Sequence, residues 1–208
     1  MIRFSEQDKA RISDAIKAAE KNTSGEFVAV VARASDHYIF LPLLWAAILA
    51  LLTPGVFILI GTSLTHEYPH LYHLQLLIFI VLALLFVFMP GLHLYLVPRS
   101  VKHARASRLA KAQFYLQGVH MTQEHSGVLL FVSLAERYVE IVADKGIHEK
   151  LGEAHWQAII QTFVQQVQNR QVVEGFVTAI TACGEAMAKH YPRRADDTNE
   201  LSDGLIEI

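Results

Sequence analysis

Residues 25–32 read Gly-Glu-Phe-Val-Ala-Val-Val-Ala, and this stretch decides the fold. From Phe27 onward it is apolar with no polar alternate, the mark of a strand covered on both faces. Such a strand demands helices above and below it. Just upstream, Ser5 with Asp8 three residues later forms a capping box, and Ile12, Ala15, Ile16 and Ala19 recur at helical spacing. The pattern predicts an amphipathic helix over residues 5–21, ended by Asn22-Thr23-Ser24-Gly25.

The partner strands come much later. A second apolar run at 128–134 follows Ser126-Gly127, and after Ala135-Glu136 the stretch 137–143 is strand-like, so the pair reads as a hairpin of a central and a more exposed strand. Asp144-Lys145-Gly146 ends it. Two helical patterns follow, one on Trp156, Ile159, Ile160, Phe163 and Val167, the other on Val173, Phe176, Val177, Ile180, Gly184 and Met187. One early strand and two late ones are too few to stand separately. The expectation is an α/β domain, a three-layer α/β/α sandwich with a small mixed sheet, built from residues 1–38 and 99–191. Residues 192–208, rich in Asp and Glu, are expected to form a disordered acidic tail.

What separates the two halves is strongly apolar. From residue 41 to 98 the only formally charged side chain is Glu67. The segments 41–62 and 74–97 each offer the ~20 apolar residues that cross a ~30 Å hydrocarbon core, which predicts an inserted two-helix transmembrane hairpin. Lys21 and Arg33 precede it, Arg99, Lys102, Arg105, Arg108 and Lys111 follow it, and the loop between carries no lysine or arginine. The positive-inside rule then places the chain in the inner (plasma) membrane, multi-pass, with both termini cytoplasmic. Spaced three apart, the five basic residues spiral round a helix as a membrane-surface collar for lipid headgroups.

Composition fits that reading: of 208 residues, 52% are hydrophobic and 18% charged. A net charge of -2 with no basic reading motif excludes nucleic acid as a partner class. The lone Cys183 lies in a helical apolar pattern and reads as a small buried hydrophobe. The first 21 residues alternate charged and apolar side chains, without the apolar core and cleavage site of a signal peptide.

The segments Gly25-Glu26-Phe27-Val28, Ser126-Gly127-Val128-Leu129-Leu130-Phe131-Val132-Ser133, Glu136-Arg137-Tyr138-Val139-Glu140-Ile141 and Asp144-Lys145-Gly146-Ile147, followed by helices with Trp156 and Gly175, resemble the TPM-domain family, here interrupted by the two expected spans. That family includes thylakoid-lumen and photosystem-repair proteins and an acetylcholine-receptor accessory protein. The resemblance implies an α/β/α sandwich. It also implies one of two roles: an accessory function toward membrane complexes, or divalent-cation binding with weak phosphatase activity.

For chemistry, a metal or phosphatase site needs carboxylates converging near strand ends. Glu26, Asp36, Glu124, Glu140 and Asp144 are available, and only Glu26 and Asp144 sit at strand termini beside glycine, which makes them the candidate ligands for calcium or magnesium. Arg137 is the candidate anion-binding residue. The competing reading of the two acids is a turn or cap. His66-Glu67-Tyr68-Pro69-His70 matches the H-E-x-x-H spacing of zinc proteases, but Pro69 argues against the regular helix that spacing needs, so it reads as an interfacial polar loop. No phosphate-binding glycine loop, Gly-x-Ser-x-Gly or cysteine-histidine nucleophile pattern occurs. The function expected from sequence is therefore a membrane-anchored accessory or interaction module at the cytoplasmic surface, with lipid bilayer and a membrane protein as partners. A divalent-metal-dependent phosphatase is the alternative.

Overall fold

The computed structural model describes residues 4–59, 68–88, 94–95, 97–194 and 196–208. The described chain forms two units, residues 1–35 with 103–208, and residues 36–102.

In the first unit, α1 (Glu6–Glu20) starts at Ser5, whose side chain accepts the Asp8 N–H while the Asp8 carboxylate accepts the Ser5 N–H, so the capping box closes in both directions. The chain turns into β1 (Glu26–Ala32), buried at every position as its unbroken apolar run requires. β2 (Gly127–Ser133) pairs parallel to β1 with Glu26 opposite Gly127, and β3 (Tyr138–Ala143) pairs antiparallel to β2 with Val128 opposite Ala143. The fourth strand is one that sequence did not reveal. β4 (Leu205–Glu207) pairs parallel to β1, so the order is β3-β2-β1-β4 and the sheet is mixed. The chain end expected to be a disordered tail thus contributes an edge strand. Ile208 donates its N–H to the Val31 carbonyl at 3.0 Å and accepts from Arg33 N–H at 2.9 Å.

Alternation along β1 splits its side chains between two cores. Phe27, Ala29 and Val31 pack with Ile12 and Ile16 of α1 and with two later helices, α6 (Glu153–Gln168), which supplies Trp156, Ile159 and Phe163, and α7 (Val172–Ala188), which supplies Phe176 and Ile180. Cys183 is buried in this cluster, and burial pushes its thiol up to about 12, well clear of reactivity at neutral pH. Val28, Val30 and Ala32 face the other way, against Ala106, Ala110 and Phe114 of the helix α4 (Arg99–Leu116) and against Val119 of the short 3₁₀ turn Val119–Met121. Ala106, Ala110 and Phe114 recur every four residues, so they share the face of α4 that packs on the sheet, where the two alanines allow a close approach. A short α5 (Lys145–Leu151) follows β3. Among the described residues the result is a mixed α/β fold with one four-stranded sheet and helices on both faces.

In the second unit, α2 (Phe40–Leu59) and α3 (Tyr68–Phe88) pack against each other. The reading of residues 41–97 as two membrane spans, and with it the multi-pass placement in the inner membrane, is corrected by the structure: among the described residues no helix is long and apolar enough to cross a membrane. Thr53-Pro54-Gly55 breaks the apolar run of α2 after Leu52, and polar residues continue in α3 as far as Gln75. Unbroken runs of about 13 residues rise roughly 20 Å, short of a ~30 Å hydrocarbon core. The membrane-surface collar expected of Arg99, Lys102, Arg105, Arg108 and Lys111 depends on those spans. His66 and Glu67 lie outside the described residues, as do parts of both expected spans.

Candidate functional site

The two sequence-nominated acids lie at one end of the sheet. Glu26 opens β1, and Asp144 follows β3, whose antiparallel course returns its end to the same edge. Between them on β2 is Gly127. A Cβ at Gly127 would collide with the Val119 carbonyl and would lie 2.6 Å from Val119 Cγ1, so the 3₁₀ turn fills the space that a shared ligand would need. The edge is also the amino end of β1 and β2, whereas open α/β sheets hold ligands at the carboxyl ends.

Each acid has its own local partners. Asp144 caps α5, its Oδ1 accepting Lys145 N–H at 2.6 Å, and its own N–H donates to Gly127 O at 3.0 Å. Its Oδ2 lies 3.3 Å from His125 Nδ1 but makes no hydrogen bond. Glu26 is 5% exposed, and one carboxylate oxygen accepts Glu200 N–H at 3.3 Å. The other oxygen is buried with no partner among the described residues. Burial raises the Glu26 pKa, partly opposed by backbone donors at Glu200 and Leu201. Nearby, Glu20 accepts Phe27 N–H at 3.1 Å and has its pKa pushed up to about 8, first by burial and then, after the opposing Phe27 bond, by the charges of Glu26, Asp203 and Asp197. Glu20 carried no sequence signal, because only the fold places a helix C-terminus beside the start of β1.

Orphaned oxygens on Glu26 and Asp144 are what a cation would use, but calcium takes six to eight oxygen ligands, and magnesium six in octahedral geometry. Among the described residues no group of three or more His, Cys, Asp or Glu could hold a metal ion. The residues present do not fit one shared divalent site. The other acids nominated from sequence are engaged elsewhere. Glu124 accepts from the Ser24 hydroxyl at 2.7 Å and from Arg194 at 2.7 Å, Glu140 accepts from Ser107 and Tyr138, and Asp36 closes a turn on His37 N–H at 2.7 Å.

The carboxyl end of the sheet holds a network not apparent from sequence. Ser133 is fully buried and donates its hydroxyl to Glu136, while Glu136 also accepts Ser35 N–H at 2.9 Å and the Ser35 hydroxyl donates to Ser133 at 2.9 Å. The Glu136 carboxylate thus accepts from the Ser133 hydroxyl inside a buried network that pins the β2–β3 turn. The turn then presents Arg137, exposed and in a left-handed conformation (φ 52°).

A family model for the TPM domain matches residues 92–186, which includes α4, β2, β3, α5, α6 and most of α7. No curated protein matches the chain. Among solved structures, the NMR structure of the BA42 protein from the psychrophilic bacterium Bizionia argentinensis is similar, with 19% identity and a TM-score of 0.63 over 100% of this chain and 97% of that one. At that identity the likeness shows the fold alone. Within the chain, residues 92–186 are thus similar to a TPM domain, and the structure pairs that segment with β1 in a single sheet.

Proposed function

We propose that this chain is an accessory or interaction module in which α2 and α3 dock on an apolar surface of a partner protein. One observation carries the reading. Large apolar side chains stand exposed along both helices, among them Leu51 at 68%, Leu52 at 58%, Leu77 at 57% and Leu84 at 50%. Monomeric proteins rarely leave contiguous apolar patches beyond a few hundred Å² uncovered, and helices apolar all round are built to be buried. The α/β unit, by contrast, satisfies its own sheet and cores.

The test is crosslinking in cells of the full chain with a photoreactive residue at Leu52 or Leu84, followed by affinity purification and mass spectrometry. One protein should crosslink at both positions and be lost in Leu51→Glu with Leu77→Glu, while the melting of the α/β unit stays unchanged. Crosslinks to lipid alone, or the same adducts in the double variant, would overturn the reading.

A divalent-metal-dependent phosphatase is the alternative that the sequence raises; among the described residues Glu26 and Asp144 each keep one unpartnered buried oxygen but are held by separate local partners, which weighs against it. It requires phosphate release from a model phosphomonoester that rises with calcium or magnesium and disappears in Asp144→Ala. Release indifferent to both the metal and the substitution would remove it.

A further inference from the structure

At the carboxyl end of β2 an apolar cavity of about 400 Å³ opens beside Arg137. Its walls are Val132 and Leu134 from the end of β2, Val139 of β3, and Phe163, Val164 and Val167 of α6. Small-molecule pockets occupy roughly 300–1,000 Å³, are mostly apolar, and hold a few placed polar groups, and open α/β sheets site them outside strand carboxyl ends. This cavity meets each condition within the α/β unit.

Among the described residues the charge at its rim is uncompensated. Glu136, adjacent in sequence, is turned inward and taken up by Ser35 and Ser133. Glu140 is held by the Tyr138 hydroxyl at 3.0 Å and by Ser107 at 3.2 Å. No carboxylate pairs with Arg137 among the described residues. The left-handed backbone at Arg137 is a conformation that a non-glycine residue adopts at a cost, and here it sets an arginine at the mouth of the cavity. A guanidinium offers paired donors that match a carboxylate, and the walls behind it match an alkyl chain.

We propose that this cavity binds a medium-chain carboxylate, its head on Arg137 and its chain along Val139, Phe163 and Val164. The inference does not rest on the docking role of α2 and α3. Its probe is decanoate below its micellar concentration, titrated calorimetrically into the full chain, with decyltrimethylammonium as the cationic control. Saturable one-to-one binding is expected, weakened about tenfold in Arg137→Gln by loss of one charge-assisted contact. Val164→Trp, which fills the cavity, should weaken it as well. Leu51→Glu with Leu77→Glu should leave the affinity unchanged, separating this site from adsorption on the exposed helices. Because Arg137 is exposed, Arg137→Gln folds and decides the matter even if the tryptophan variant does not. Equal decanoate affinity in Arg137→Gln and wild type, or equal affinity for the cationic control, would overturn the proposal.

Discussion

Replacing Glu20 by Gln should stabilise the protein at alkaline pH and leave it nearly unchanged near pH 4.5. Burial lifts the Glu20 carboxyl from 4.5 to about 8 in the folded chain, with Glu26 adding to the effect. Between those two values the unfolded chain has released the proton and the folded chain still binds it, so stability falls as pH rises and levels off above about 8. At ~1.36 kcal/mol per pH unit the span corresponds to at most about 5 kcal/mol. Glu20 is only half-buried and keeps part of its water, so about 2–3 kcal/mol is the expected effect. Gln keeps a carbonyl oxygen for the Phe27 N–H, which Glu20 now accepts at 3.1 Å, and removes only the charge. Urea unfolding followed by far-UV circular dichroism on both proteins at pH 5, 6.5 and 8.5 measures the difference, and the other titrating groups largely cancel between them. The advantage of the variant should grow across the three. An advantage that stays flat, or a variant less stable by the same amount at every pH, would refute the burial of a carboxylate at this position.

Two further substitutions probe the sheet. Gly127→Ala should lose about 1–3 kcal/mol in urea, because its Cβ meets the Val119 carbonyl and the 3₁₀ turn must move; an unchanged midpoint would mean that the turn does not close over β2. Removing residues 205–208 takes away β4 with its pairing to β1, the two main-chain bonds of Ile208 to Arg33 and Val31, and the packing of Leu205 and Ile206. A loss of about 2 kcal/mol is expected from that apolar burial, together with faster amide exchange at Arg33. Exchange at Arg33 as slow as in the full chain would show that its amide is protected without β4.

Much of this architecture can be read from local sequence. The capping box at Ser5 and Asp8, the apolar period of α6 and α7, and the unbroken run of β1 each act over a few residues, so their elements are determined where they stand. The β2–β3 pair is similarly local, because a short turn fixes its register. The apolar content of α2 and α3 is equally plain, yet content does not measure the unbroken apolar length of a helix, and among the described residues no helix reaches the length and apolarity of a span.

Sequence by itself determined α1, α6, α7 and β1 to β3 and the faces they bury, because those are properties of neighbours along the chain. Tertiary structure decided the rest. It recruited three residues of a polar chain end as β4, set Val119 against Gly127, and half-buried Glu20 beside Phe27. It also engaged Glu136 with Ser35 and Ser133 and set Arg137, without a carboxylate partner among the described residues, at the mouth of an apolar cavity. Each of these joins residues distant in sequence, where the deciding energies are burial and register across the sheet rather than any local preference.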